Sequence, residues 1–360
     1  MVRLEQPQSD LLDWLILSLT PQVGPKTGLR LIKAFGSINN VFQQNINILA
    51  QFSNPRIAKL ILDRSSLDIA NKMLDWVNIN PNHHIIPITD KRYPKELATI
   101  SDPPLVLYLM GNLELLKNPK IAIIGTKNPT KYGITNAFRF AKALASKNLT
   151  IVSGMSPGID THAHLGSLQT KGSTIAVLGT GFNSQILKSQ QELYNNMLSL
   201  GLFITEFPID NYNNPINFEK RNRIISGLSK ACLVVESGLD SEALITANYA
   251  LEMGREVMAI PGSIDNPSTR GCHRLIKSGA KLVETINDIL EEIQLTQYKS
   301  DSLKPQDNLL SVMGKSPITI DALCSKLNIE YTEICAKLLE LELGGQIINC
   351  GNGHYQQIFC

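Results

Sequence analysis

A doubly wound α/β fold with a mostly parallel sheet is the class this sequence predicts, and three observations predict it. Short apolar runs recur through the middle of the chain: KIAIIGT (120–126), TIVSG (150–154), STIAVLGT (173–180), LFITE (202–206), ACLVVES (231–237) and EVMAIPG (256–262). Helical stretches separate them. The runs are continuous rather than alternating, as expected of strands covered on both faces. Right-handed βαβ crossovers then put ligands at the carboxyl ends of the strands. At 360 residues the chain also exceeds one ordinary core, so further domains flank the sheet.

Taken in order, residues 1–80 read as an all-helical domain. DLLDWLILSLT is a helix that runs into a turn, and PQVGPKTGLRLIKAF follows it. Val23-Gly24-Pro25-Lys26, ahead of a helix with Leu29, Leu31 and Ile32, resembles one helix-hairpin-helix unit. Such a unit offers backbone N–H groups to a nucleic-acid phosphate, while a small SAM-like packing domain is the plainer reading. From His84 the texture changes to IIPIT and then to a Pro-rich entry with a strand at 105–109. A short strand, KLVE (281–284), and a helix at 286–293 close the sheet domain, 81–294. Residues 295–308 are polar, contain Pro305 and read as a linker. Residues 309–360 show two helices, a turn and a hairpin centred on Gly351-Asn352-Gly353, the pattern of a winged helix.

Charge limits the function classes. The formal net charge is +2, and no segment is a basic tail. Any grip on nucleic acid must therefore come from a local patch. Asp and Glu outnumber Lys and Arg in 309–360, which favours packing or protein contact there over phosphate binding. No apolar signal core opens the chain and no run approaches a membrane span, so a cytoplasmic protein is expected. Six cysteines lack CxxC spacing. They read as reduced thiols rather than zinc ligands.

The densest local patch is NFEKRNRIISGLSKACLVVES (217–237), with Lys220, Arg221 and Arg223 grouped around Asn222. Asn217 is the expected helix N-cap after Pro215. The cations would then lie near the first turn, where the macrodipole disfavours positive charge by roughly 0.3–1 kcal/mol each. Accepting that penalty points to an anion held by the side chains and the free N–H groups.

Loops after the strands supply the remaining candidates. Gly125-Thr126-Lys127 combines close backbone approach, a hydroxyl and a cation ahead of a helix N-terminus. SGMSPGIDTHAH (153–164) brings Ser153, Gly154, Gly158, Asp160, His162 and His164. Asp160 and His164 share a helix face and His162 does not. A hydrogen-bonded Asp160–His164 pair that shapes the loop is thus expected rather than a metal site. Glu236, Ser241 and Thr246 gather after 231–235. LGTGF (178–182) lacks the third glycine of a dinucleotide fingerprint, so no cofactor is implied. No nucleophile elbow, paired carboxylates or Ser/His/Asp order emerges, and no catalytic residue is assigned. In RGCHRLIKSGAKLV (270–283), His273, Leu275, Ile276 and Leu282 read as core or as an oligomer surface.

Together YPKEL and DPPLVLYLMGN (93–112), IAIIGTKNPTKYG (121–133), SGMSPGIDTHAH, FEKRNRIISGLS (218–229), LVVES (233–237), ALITANYALEMGREVMAIPG (243–262) and RGCHRLIKSGA (270–280) resemble the DprA/Smf family of DNA-processing proteins of bacterial natural transformation. The resemblance implies a Rossmann-like sheet domain between a helical N-terminal domain and a C-terminal winged helix. It implies a non-enzymatic protein that binds and protects incoming single-stranded DNA and helps load the RecA recombinase. It also implies a homodimer formed through the segment matching 270–283. The family's phosphate-contacting positions carry over to Lys127, Lys220, Arg221 and Arg223, and with the strand-end loops read above the expected DNA- or phosphate-binding set is Gly125, Thr126, Lys127, Ser153, Gly154, Gly158, Lys220, Arg221, Asn222 and Arg223. Three departures bear on it. Lys127 stands where the family usually has Arg, losing the bidentate fork. Pro157 replaces another Arg. Glu242, within Ser241-Glu242-Ala243, adds a negative charge. The competing readings are a nucleotide hydrolase, whose PGGxGTxxE signature is missing after Pro261-Gly262, and a recombination adaptor that does not depend on DNA.

Overall fold

The computed structural model describes residues 8–170, 174–212, 214–293, 309–310, 312–313, 317–327, 331–343, 347–351 and 353–357. Residues 1–294 form one compact unit and 295–360 a second. The boundary expected at residue 80 falls inside the first unit, and the expected linker, 295–308, lies outside the described residues. Among the described residues no helix is long and apolar enough to cross a membrane.

The first unit opens with helices α1 (Gln8–Leu19), α2 (Pro25–Phe35), α3 (Ile38–Phe42), α4 (Ile46–Phe52), α5 (Pro55–Leu62) and α6 (Leu67–Ile79). Their starts follow local chemistry. Ser37, Asn45 and Asn54 cap α3, α4 and α5 by accepting from backbone N–H groups, and Pro25 and Pro55 sit in first turns where no N–H is needed. Strands β1 (His83–Pro87) and β2 (Val106–Gly111) follow, with the short α7 (Lys95–Ala98) between them. Side chains of β2 alternate between two cores. Val106 and Tyr108 pack with Trp14, Leu31 and Trp76 of the helices, whereas Leu107 and Leu109 join the main sheet core. This shared strand is why the helical region and the sheet make one unit.

The rest of the unit is β3 (Lys120–Ile124), α8 (Lys131–Ser146), β4 (Thr150–Ser153), α9 (Ile159–Leu168), β5 (Thr174–Val177), α10 (Gln191–Leu200), β6 (Leu202–Thr205), α11 (Pro215–Leu228), β7 (Ala231–Val234), α12 (Glu242–Glu252), β8 (Glu256–Ala259), α13 (Arg270–Lys277), β9 (Lys281–Leu282) and α14 (Ile286–Glu292). The nine strands run in the order β1-β2-β6-β5-β4-β3-β7-β8-β9. From β6 to β9 every pairing is parallel, and β2 pairs antiparallel with both β1 and β6. Every residue of β3, β4, β5, β6 and β7 is buried. The mostly parallel α/β class is therefore the observed one.

Several boundaries differ from expectation. The strands expected at 173–180, 231–237 and 256–262 stop at Val177, Val234 and Ala259, and KLVE contributes only Lys281–Leu282. Apolar residues continue beyond each strand because the loops at its carboxyl end are buried too, as with Leu178, Val235 and Ile260. Helix α11 is capped by Asn214, not Asn217, because Pro215 starts the helix and Asn214 Oδ1 accepts from Ile216 N.

The second unit, by itself, has helices Ile320–Leu327 and Tyr331–Leu343, and strands Ile318–Thr319, Ile347–Gly351 and His354–Gln357 in one antiparallel sheet. Leu309, Leu323, Ile334, Leu338 and Ile347 form its core. Gly351 and Gly353 take positive φ at the hairpin, and Asn352 lies outside the described residues.

Gly158 precedes α9 with φ +89°, ψ −128°, and an added Cβ would collide with the carbonyls of Thr126 and Lys127. A Gly158→Ala variant should lose about 1–3 kcal/mol from the backbone alone, read as a lower urea midpoint at unchanged slope.

Candidate nucleic-acid interface

The chain leaves β3 for β4 on one side and later returns to β7 on the other. Between β3 and β7 the crossovers therefore diverge, which opens a crevice at the carboxyl ends of the strands. A cavity of about 550 Å³ lies there. Gly125, Thr126 and Lys127 line it from β3, and Asp160 from α9. Asn222 lines it from α11, and Ser241, Glu242 and Thr246 from the start of α12. The loops are tied across the crevice, since Thr126 N donates to Glu236 O (2.8 Å) and Ile159 N donates to Thr126 O (3.2 Å).

The helix end behind Thr126-Lys127 is already occupied. The fully buried Glu236 carboxylate accepts from Thr130 Oγ1 (2.7 Å) and Thr130 N (3.2 Å). Thr130 in turn caps α8 by accepting from Gly133 N. An internal carboxylate thus complements the N-terminal dipole that the sequence suggested for an oxyanion.

The three cations of α11 have separate fates. With Asn214 as cap, Lys220, Arg221 and Arg223 lie beyond the first turn, so the expected anion site at the N–H groups of this helix end does not form. Successive helical residues point about 100° apart, and the side chains diverge. Lys220 is exposed. Arg221 is 3% exposed and donates to Val177 O and to Asn222 Oδ1 (3.1 Å), with its guanidinium against Gly154. Desolvation pulls its pKa down while Asp160 and Glu242 oppose that pull. Arg223 makes a bidentate pair with Glu206 (2.8 and 2.7 Å) and reaches Asp102 at 3.4 Å. Burial raises the Glu206 pKa even against the neighbouring Arg223. Lys127, at the cavity, is exposed and bonds Glu242 at 2.9 Å.

The Asp160–His164 hydrogen bond expected from the sequence is replaced by two separate networks. Burial raises the Asp160 pKa, opposed by Arg221 and by hydrogen bonds from Ser153 and Ser156. Ser153 Oγ also lies 2.7 Å from Ile123 O. His164, fully buried, meets Gly154 O through Nε2 (2.6 Å) and Thr174 Oγ1 through Nδ1 (2.7 Å). Nε2 must carry a proton to bond a carbonyl. Burial holds the His164 pKa near 4, so the ring is neutral. His162 Nδ1 lies 2.8 Å from Gly158 O, within its own helix turn.

Ser241 caps α12 by accepting from Ala243 N, and Thr246 O accepts from Ser226 Oγ. In the segment expected at a dimer surface, Leu275 is buried in the sheet core and Ile276 packs against it. His273 Nε2 lies 3.1 Å from Gly262 O, and Leu282 is exposed. Sequence reasoning quoted Arg270 without assigning it. Arg270 is an exposed cation that lines the cavity. The available signal was a cation opening the helix after β8, next to β7.

Residues 84–294 match the family model described as DNA recombination-mediator protein A. The chain belongs to this family, DprA/Smf. Residues 296–353 match the DprA winged helix domain. The Smf protein of Escherichia coli is 38% identical over 296 residues, which is 78% of this chain and 79% of that protein. The DNA processing protein DprA of Bacillus subtilis is 42% identical over 209 residues, 58% of this chain and 70% of that one. The X-ray structure of DprA from Streptococcus pneumoniae superposes with a TM-score of 0.68 at 34% identity, covering 78% of this chain and 95% of that one. DprA from Helicobacter pylori, whose structure was reported for its single-stranded DNA binding mode, gives 0.54 at 25% identity, covering 59% and 96%.

Two outcomes follow for this DprA-family chain. Arg223→Ala leaves Glu206 buried without its partner and should cost about 3–5 kcal/mol of stability, seen in thermal and urea unfolding. His164 has a folded pKa below its unfolded value of 6.5. Its contribution is therefore fully present above pH 6.5 and lost as pH falls toward 4. The loss is on the order of 3 kcal/mol, and a His164→Gln variant should not show it in unfolding experiments across that range.

Proposed function

We propose that this protein binds single-stranded DNA across the carboxyl ends of β3 and β7, shields it and helps load the RecA recombinase on it. It does so without catalysis, as a cytoplasmic homodimer formed through the α13–β9 segment. One observation carries the reading. The switch-point cavity presents an exposed Lys127 whose ion-pair partner is an equally exposed surface carboxylate, Glu242. Such pairs contribute little stability, typically below about 1 kcal/mol, so a phosphate can displace Glu242. Gly125 lines the cavity, and its lack of a Cβ lets Ile159 and the Glu236 carbonyl pack close behind it. Asp160 and Glu236 are both engaged by internal donors, which supports binding over hydrolysis. The single-stranded DNA binding mode reported for the Helicobacter pylori relative supports the same ligand.

The test is fluorescence anisotropy with a labelled single strand over a salt series, with duplex and mononucleotide competitors. Wild type should bind, with duplex competing poorly. Lys127→Glu should weaken binding roughly tenfold and make the slope of log K against log salt shallower by about 0.7, the loss of one phosphate contact. Glu242→Gln should tighten binding a few-fold at low salt. Strong competition by mononucleotide, with Lys127→Glu binding DNA as wild type does, would instead favour the hydrolase reading. Arg221 is a poor probe because its removal disturbs the buried loops.

A further inference from the structure

We infer that the floor of the cavity between β3 and β7 takes one unstacked base of the bound strand, held by its edge on the Asn222 amide and the Thr246 hydroxyl, while the phosphates stay at the rim. The inference rests on the DNA-binding reading above and names the part of the nucleotide that enters.

Two polar side chains on that floor lack a partner. Asn222 is 4% exposed and Thr246 is 3% exposed, and both line the cavity. Asn222 Oδ1 accepts from Arg221 Nε (3.1 Å). A guanidinium only donates, so the amide cannot be turned round and Nδ2 is its free end. Among the described residues neither Nδ2 nor the Thr246 hydroxyl makes a hydrogen bond, and neither atom is sealed from solvent. The two groups sit on neighbouring helices. Ser226, one helical turn beyond Asn222 on the same face of α11, donates to Thr246 O of α12 (2.8 Å). Polar groups this deep are normally paired, and here the cavity is where the partner must come from.

Charge selects which part of a nucleotide they meet. Asp160, Asp240 and Glu242 line the cavity against Lys127 and Arg270, three formal negative charges to two positive. Both cations are exposed, whereas Asp160 is buried. A phosphate carried to the floor would leave the cations behind and approach the Asp160 carboxylate. An uncharged base edge meets no such repulsion, and both free groups can donate to its carbonyl oxygens or ring nitrogens. Ile124, Ile225 and Leu239 supply apolar lining for the ring.

The experiment uses the full chain with two labelled 30-nucleotide single strands, one normal and one built of abasic sites, in a salt series. Wild type should bind the abasic strand about tenfold more weakly at an unchanged salt slope, because the phosphates are the same. Thr246→Val should bind the normal strand several-fold more weakly, again at an unchanged slope, and the abasic strand as wild type does. Thr246→Ser should restore the difference between the strands. The melting temperature of Thr246→Val should not fall, since its hydroxyl has no internal partner to lose. Equal binding of the two strands by wild type would overturn the base site and leave the phosphate contacts standing. Wild-type affinity for the normal strand in Thr246→Val, or a lowered melting temperature, would overturn it equally. Failure of wild type to bind either strand would instead remove the reading on which the inference rests.

Discussion

The burial of Arg221 is the constraint on which the loops around the candidate interface depend. A guanidinium cannot shed its charge, and taking it out of water is costly unless neighbouring groups compensate. Here the Val177 carbonyl at the end of β5, the Asn222 side chain and the field of Asp160 do so. Gly154 after β4 gives the guanidinium its space. One side chain of α11 thereby ties together the carboxyl ends of two neighbouring strands. Asp160 belongs to this arrangement as its counter-charge, and Gly158 lets α9 start close enough to supply it.

This arrangement separates structural charge from charge available to a ligand. Arg221 and Arg223 are held inside by Asp160, Glu206 and Asp102, while Lys127, Lys220 and Arg270 remain at the surface. Arg is suited to the first role because its planar fork satisfies several acceptors at once, and Lys to the second as a hydrated point charge. The overall charge of +2 thus understates how the surface is organised. What matters is which carboxylates are already engaged.

Much of the fold was legible because burial on both faces writes itself as continuous apolar runs. That is why β3 to β8 could be placed from sequence. Their ends were less legible, since Leu178, Val235 and Ile260 are as apolar as the strands they follow. The N-cap of α11 was misplaced for a related reason, because Asn214 and Asn217 both flank Pro215 and only backbone geometry distinguishes them. Within the site, Gly125-Thr126-Lys127 and Ser241-Glu242 were readable as strand-end loops. The partners of Glu236, Asp160 and His164 were not, because they come from segments distant in sequence.

By itself the sequence determined the class of fold, the order of its strands along the chain and the family to which it belongs, since these rest on local pattern and on contiguous motifs. Tertiary structure alone decided the order of strands across the sheet, and with it the crevice between β3 and β7. It also decided which cations stay exposed. Three positive residues within four positions look equivalent in one dimension. Helical rotation leaves Lys220 at the surface and turns the two arginines inward to different carboxylates, which come from 17 to more than 100 residues away.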